Sequence, residues 1–466
     1  MGCISRFNPK PLARHHLLSQ NKCTQVRLVF GVNAPAAGRV SRIQVFKMKS
    51  SRRIAILSPL IAALILVVPD SVHAQDIRQA VIIGTARDPG IAAFRQRVAR
   101  ETSNIEIIKS ARRPQISVSG DTGGDEAASL GLNVTVSQLL TDWGLTKSRL
   151  SAAESERVKI VAELKMEVEN FTLNVAELYF DIHTAQQKLD RAMEYEVFAT
   201  RLAGLSRERA RAGLANSSDV ARARLEISRA EDEVFQREAD LSIARSELEF
   251  LIQQALTDTP PPPRLNFAER FQSSREAIAV AVQAPDYLSA KADRDIARSD
   301  VDAARAARKP TIRLEATVRE ELSGGRGRSS AAGITAGVDL NSSTFSGTAI
   351  TAAEQSLRAS EQTLRSVERK LQREVRFYVE RLRSLDSLQQ SLATQAKESQ
   401  IVLNSYEEQF VAGQRDLNDL LLTGRDLFDA QTAVIDVYDE LLRDEYAAFH
   451  SVGMLGPVLL GSKRSQ

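Results

Sequence analysis

The sequence predicts a mainly α-helical fold that also carries four membrane-compatible β-strands, assembled from two copies of one unit. Three observations predict it. The chain repeats itself: Ala111-Arg112-Arg113-Pro114 returns as Ala307-Arg308-Lys309-Pro310, and Gly213 followed by Asp219 returns as Gly413 followed by Asp419. The prolines lie 196 residues apart and the glycines 200, a period too long for a solenoid and suited to a duplicated half-molecule. Each copy then holds two segments of strict apolar/polar alternation, and each continues into a proline-free stretch of heptad-spaced apolar residues far longer than a globular domain needs.

The elements follow in order. Residues 1–47 show no periodicity and lie outside the fold, with Met48 expected as the true start. Lys49, Arg52 and Arg53, the apolar run Ile54–Val68 and Val72-His73-Ala74 read as a signal peptide over 48–74. The run is about 15 residues, short of the roughly 20 that a spanning helix needs. Residues 1–74 hold 11 of the 62 Lys+Arg and one of the 59 Asp+Glu, so the formal +3 becomes −7 in the mature chain. That removes the basic footprint of a nucleic-acid binder. Cys3 and Cys23 also leave with the presequence, which excludes a disulfide, a thiolate metal site, a Cys nucleophile and a lipid-accepting Cys.

The first repeat is read over 75–259, a linker opened by Pro260–Pro263 over 260–284, the second repeat over 285–456, and a tail over 457–466. In the first, Ile116, Val118 and Gly120 alternate with Gln115, Ser117 and Ser119. After a Gly/Asp turn from Asp121 to Asp125, Leu130, Leu132, Val134 and Val136 alternate with Gly131, Asn133, Thr135 and Ser137. In the second, Ile312, Leu314, Ala316 and Val318 precede a Gly324–Gly327 turn, with Glu320-Glu321 read as a solvated loop. Ile334, Ala336, Val338 and Leu340 then alternate with Thr335, Gly337 and Asp339. About 9–11 residues suffice for a tilted membrane strand, and a wet parity opposite an apolar one is what a pore wall needs. Four strands cannot close a barrel when the smallest single-chain barrels have about eight, so several chains must share one; three would supply twelve strands. Trp143 and Phe345 follow the second and fourth strands at matching places, as membrane-interface aromatics do.

Heptad positions run through Val161, Leu164, Val168, Phe171, Val175, Leu178, Ile182, Ala185, Leu189 and Ala192. They recur through Leu364, Val367, Leu371, Val375, Tyr378, Leu382 and Leu385, then Ala396, Ser399, Leu403, Tyr406 and Phe410. Each helix is near 70 residues, and at 1.5 Å per residue each reaches roughly 100 Å. Return helices are expected over about 216–256 and 416–452.

Strand pair, long helix, glycine-led turn and return helix, duplicated behind a signal peptide, resembles the TolC family of outer-membrane efflux and secretion proteins over residues 75–456. Arg209-Ala-Arg-Ala-Gly213-Leu214 with Ser217-Ser218-Asp219-Val220 is similar to that family's first turn. Ala412-Gly413-Gln414-Arg415-Asp416-Leu417-Asn418-Asp419-Leu420-Leu421 is similar to its second, and Leu139-Leu140-Thr141-Asp142-Trp143-Gly144 to its strand-to-helix lead-in. The resemblance implies a homotrimer: a shared twelve-stranded β-barrel in outer-membrane lipid continues into a twelve-helix coiled-coil barrel across the periplasm. It implies a passive exit duct of a tripartite export system, docked at its tip by a periplasmic adaptor and an inner-membrane transporter. The cargo would be a secreted protein (type I secretion) or small toxic compounds. It implies a periplasmic gate in which Asp219 and Arg415 lock neighbouring hairpins and Asp419 forms an acidic ring. Arg209, Gly213, Leu214, Gly413 and Gln414 would be the tip contacts. Leu422 stands where a second acidic residue is possible and Phe410 where a gate tyrosine would be.

Catalysis finds little to work with. His183 and His450 are the mature chain's two histidines, neither with a His or Cys at ligand spacing, and the Gly324–Gly327 run has no phosphate-binding pattern. The sequence is therefore read as a non-enzyme without cofactor, catalytic residue or metal site. A periplasmic coiled-coil scaffold without a pore is the competing reading.

Overall fold

The computed structural model describes residues 76–461 apart from 123–129, 257–258, 272–278, 280–281, 322–326 and 339–346. The expectations for the signal peptide, Asp125, Gly324, Asp339, Leu340 and Phe345 lie outside the described residues. The elements are α1 (Ile77–Arg87), α2 (Pro89–Ser110), β1 (Gln115–Thr122), β2 (Leu130–Thr141), α3 (Leu145–Arg211), α4 (Ser217–Ile252) and α5 (Phe267–Arg270). They continue with α6 (Pro285–Ala306), β3 (Thr311–Glu321), β4 (Arg328–Gly337), α7 (Thr348–Val411), α8 (Leu417–Ser451) and α9 (Leu455–Gly461).

Two helices run the full length, α3 with 67 residues and α7 with 64. The shorter ones share them end to end. Near the sheet, α2 and α6 pack along α3, and α6 along α7, joined by Lys159–Asp293 at 2.8 Å and Arg305–Glu354 at 2.7 Å. Toward the other end α4 and α8 take their place. This handover corrects the heptad reading at its start. Val161 is half-exposed while Ile160 and Ala162 are buried, because here α3 faces α2 and α6, and its buried face turns with the partner. On α7 no residue between Leu385 and Leu403 is fully buried, and Ala396 and Ser399 are half-buried.

At mid-length the seam gives way to a compact core. Tyr179, Phe180, Tyr446, Phe449 and Phe267 are fully buried, with Phe180 edge-on to Tyr446 at 4.7 Å. The segment read as a linker is part of that core. Tyr179 and Tyr446 donate to the carbonyls of Pro260 (2.7 Å) and Pro263 (3.0 Å). The buried Glu445 accepts from the N–H of Leu265 (2.8 Å) and from Arg264 (3.1 Å). Prolines supply no backbone donors of their own, and the carbonyls they expose are met by phenols from α3 and α8. Helix α9 runs from the end of the second repeat into the stretch read as a tail; its Gly456 N–H reaches the buried Glu169 at 3.2 Å, and Leu459 within the tail is buried. Helix α1 docks on the same core through Ile77, Ala80 and Val81. Its Arg87 caps the last carbonyls of α4, Ile252 at 3.0 Å and Gln253 at 2.8 Å.

The four strands form one antiparallel sheet in the order β1-β2-β3-β4. Opposed residues share a face, so the register sorts the sides. Ile116, Val136, Ala316 and Ala332 make one apolar row, and Val118, Val134 and Val318 lead the next. Ser117, Thr135 and Thr317 lie on the other face, where Thr135 and Thr317 share a hydrogen bond of 3.2 Å. Two strand expectations are corrected. β4 begins at Arg328, six residues before the expected Ile334, because Ser329–Ala332 pair with β3 although their small side chains carry no strand pattern. Glu320 and Glu321 are the last residues of β3, not a loop. The strands contact chiefly one another, leaving Ile116, Val118 and Ile334 64–72% exposed. No described helix is long and apolar enough to cross a membrane.

Candidate functional site

The end of the helices farthest from the sheet carries most of the sequence-predicted residues. Both hairpins turn there by the same device. Gly213 (φ +74°) donates to Ala210 C=O at 3.1 Å while Leu214 N–H reaches Arg209 C=O at 2.8 Å. Gly413 (φ +79°) donates to Phe410 at 3.0 Å while Gln414 reaches Gln409 at 2.8 Å. These are left-handed helix caps. A Cβ at either glycine would meet nothing within 4 Å, so glycine is required by backbone angle and not by crowding. Leu214 (69% exposed) and Gln414 stand free in solvent.

Arg415 is engaged within its own hairpin. Its Nε donates to Gln409 at 2.9 Å, its Nη1 meets Asp419 at 3.2 Å, and its guanidinium lies 4.0 Å from the Tyr406 ring centroid. The structure thus joins Arg415 to Asp419. Asp219 serves the start of α4 instead: it accepts the Asn216 N–H at 3.2 Å as one half of a capping box. Arg415 and Asp219 do not meet within one chain. Arg209 reaches from the first hairpin into the second, donating to the Phe410 carbonyl and lying 4.5 Å over the Phe410 ring.

Sequence reasoning missed residues that belong to this site. Tyr406 supplies the aromatic face for Arg415. It stands one helical turn before Phe410, a spacing of four that keeps both on one side. Arg201 pairs with Glu407 at 2.5 Å and Arg222 donates to Asn418 at 3.1 Å. Together with Arg209, they place three guanidinium groups of the first hairpin on acceptors of the second. Their signal in the sequence was only that long arginines lie near a hairpin end.

Above these ties sits an aromatic block: Tyr195 stacks on Phe428 at 5.0 Å and on Phe198 at 6.1 Å. The Tyr195 hydroxyl donates to the buried Glu226 carboxylate, which Arg229 also meets at 3.1 Å. Burial, then the hydrogen bond to Glu226 and the Glu226 charge, raise the Tyr195 phenol far above its ordinary range, so it remains a donor. Gly424 opposes Phe198 so closely that a Cβ would lie 2.2 Å from the ring.

At the sheet end Trp143, in the left-handed region at φ +56°, donates its indole N–H to Pro310 C=O at 2.9 Å, with Lys309 Nζ 5.4 Å from its ring. It ties the first hairpin to the start of the second and stays 52% exposed. His183 contacts Gln187 and His450 contacts Asn170 at 2.7 Å. Burial lowers both below the ordinary histidine value, against Asp439 and Asp286 respectively. Among the described residues no three His, Cys, Asp or Glu gather as a metal would require.

Comparison with known proteins agrees on one family. Residues 85–253 and 279–451 match the family described as outer membrane efflux protein. The outer membrane efflux protein BepC of Brucella suis biovar 1 (strain 1330) is 24% identical over 384 residues, 78% of this chain and 82% of that protein. Two solved structures share the fold. The outer membrane protein VceC of Vibrio cholerae gives a TM-score of 0.70 at 14% identity, covering 81% of this chain and 96% of that one. The open state of the Neisseria gonorrhoeae MtrE outer membrane channel gives 0.68 at 17% identity, covering 81% and 88%.

Proposed function

This chain belongs to the outer membrane efflux protein family, and from that premise we propose that three copies form a passive export duct gated at the helix tips. The observation that carries the reading is the open sheet. Four strands with one bare apolar face and no described helix covering them cannot be stable in water, and cannot close a barrel alone. Three sheets joined β1 to β4 make twelve strands, apolar side to lipid and polar side to the lumen. A pore-less periplasmic scaffold has no use for such a face. The long helices carry the duct roughly 100 Å into the periplasm, where a periplasmic adaptor and an inner-membrane transporter meet the exposed turns at Gly213-Leu214 and Gly413-Gln414. No energy source is needed in the duct itself.

The gate is the second hairpin, α7–α8. The Arg415–Asp419–Tyr406 knot stiffens its tip, and Arg201, Arg209 and Arg222 hold it to the first hairpin. In the closed gate Arg415 also meets Asp219 of a neighbouring copy and locks adjacent hairpins together, and opening breaks that lock and exchanges these partners. Asp419 lines the narrowest ring, where repeated carboxylates favour cations. The cargo class, secreted protein or small toxic compounds, is separated by deleting the gene and assaying both secretion and drug sensitivity.

The first test is the mass of the purified mature chain in mild detergent, by light scattering corrected for bound detergent. A trimer that precipitates without detergent is expected. A monomer or dimer soluble without detergent overturns the shared barrel.

A further inference from the structure

We propose that Asp121, Gly131 and Arg319 form a charge clasp at the outer mouth of the pore and set ion selectivity there, independently of the helix tips. The proposal rests on the trimeric-barrel reading.

Asp121 lies on β1 and Arg319 on β3, strands that are not neighbours because β2 runs between them. Their side chains nonetheless form an ion pair of 2.8 Å, crossing over β2. The crossing point is Gly131, paired with Asp121 in the ladder. A Cβ there would lie 2.7 Å from Asp121 Oδ1 and 3.2 Å from Arg319 Nη2. Glycine in a strand marks close approach by another group, and here that group is the ion pair. Asn133, opposite Arg319 in the register, braces it by donating to Asp121 at 3.2 Å. Pair and brace lie on the Ser119–Asn133–Arg319–Ser329 side of the sheet, the face that carries Thr135 and Thr317.

The location gives the clasp its role. β1 leaves α2 at Gln115 and ends at Thr122, and β2 returns toward α3, so Asp121 and Gly131 sit at the sheet end farthest from the helices. With the helices in the periplasm, that end is the outer mouth. Both side chains are about 40% exposed, open to the lumen and to each other. Three copies place three carboxylates and three guanidinium groups in one ring, each pair cancelling its own charge. Among the described residues, Arg313, Glu315 and Glu321 are the other charged residues on this face. Removing one partner leaves three like charges in a constriction, the arrangement that selects ions by sign.

The test is the reversal potential of the purified channel in planar bilayers under a KCl gradient. Arg319→Gln is expected to shift it toward cation selectivity and Asp121→Asn toward anion selectivity, with the double variant back near the parent value. The shifts should be largest in dilute salt and fade near 1 M, where screening acts within about 3 Å. Because a broken pair could impair folding, Ser329→Cys supplies a second readout that leaves the clasp intact. Labelling it with a cationic thiol reagent should move the potential toward anions. Normal conductance with an unmoved potential in Arg319→Gln, Asp121→Asn and labelled Ser329→Cys overturns the clasp and leaves the duct standing. A parent chain that never conducts removes the barrel reading and the clasp with it.

Discussion

Arg415 shows how much a single side chain holds together at the tip. Its planar fork meets Gln409 and Asp419 while its face lies on Tyr406, a set of contacts an ammonium cannot copy. Arg415→Ala should therefore raise single-channel conductance and the sensitivity of cells to large antibiotics, and Arg415→Lys should give an intermediate phenotype. Unchanged conductance in both would remove Arg415 from the gate. Gly424 makes the opposite demand, for absence. Its missing side chain admits the Phe198 ring, so Gly424→Ala overpacks the aromatic block and should cost about 1–3 kcal/mol, read as a lower Tm. Arginine-rich helix ends and the glycine pair at the turns were visible in the sequence. That Arg209 would grip Phe410, and that Gly424 was there to make room, were not, because both depend on which residue of the other hairpin comes opposite.

At the scale of elements, the long helices and their turns were legible because heptad spacing, glycine caps and the absence of proline are local signals. Observed return helices of Ser217–Ile252 and Leu417–Ser451 lie within a few residues of expectation. The mid-length core was not legible. Pro260–Pro263 reads locally as a break, and only Tyr179, Tyr446 and Glu445 turn it into packed structure. The docking of α9 on Glu169 yields a pH test. Burial raises the Glu169 carboxyl above its ordinary value, although the N–H groups of Gly456 and Leu455 favour its ionised form. A carboxyl whose folded pKa is raised is favoured in its protonated form on folding. Its contribution is full below the unfolded pKa and is lost as pH rises through the folded value. Glu169→Gln removes that dependence. Its Tm should fall less than the parent's between about pH 4 and pH 7, as measured by calorimetry; parallel curves would refute it.

For the whole molecule, the two faces of β2 give the decisive comparison. Val136 and Thr135 are neighbours in sequence and lie on opposite sides of the sheet. If three copies share one barrel as proposed, Val136→Arg puts a charge on the lipid side, which costs about 2–4 kcal/mol at the bilayer midplane, so it should prevent trimer insertion into outer-membrane fractions. Thr135→Arg puts the same charge in the lumen and should insert normally while shifting conductance toward anions. Equal behaviour of the two variants would mean the sheet does not separate lipid from water.

By itself the sequence determined the long helices, the alternating strands and the glycine turns. Each of these is written in spacing along the chain, and spacing acts locally through helix and strand periodicity. Tertiary structure alone decided that β4 begins among small residues, that the proline segment belongs to the core, that Arg209 grips Phe410 of the other hairpin, and that an ion pair crosses β2 above Gly131. Those outcomes depend on which side chains the fold brings together from positions up to 201 residues apart. No local pattern encodes that choice.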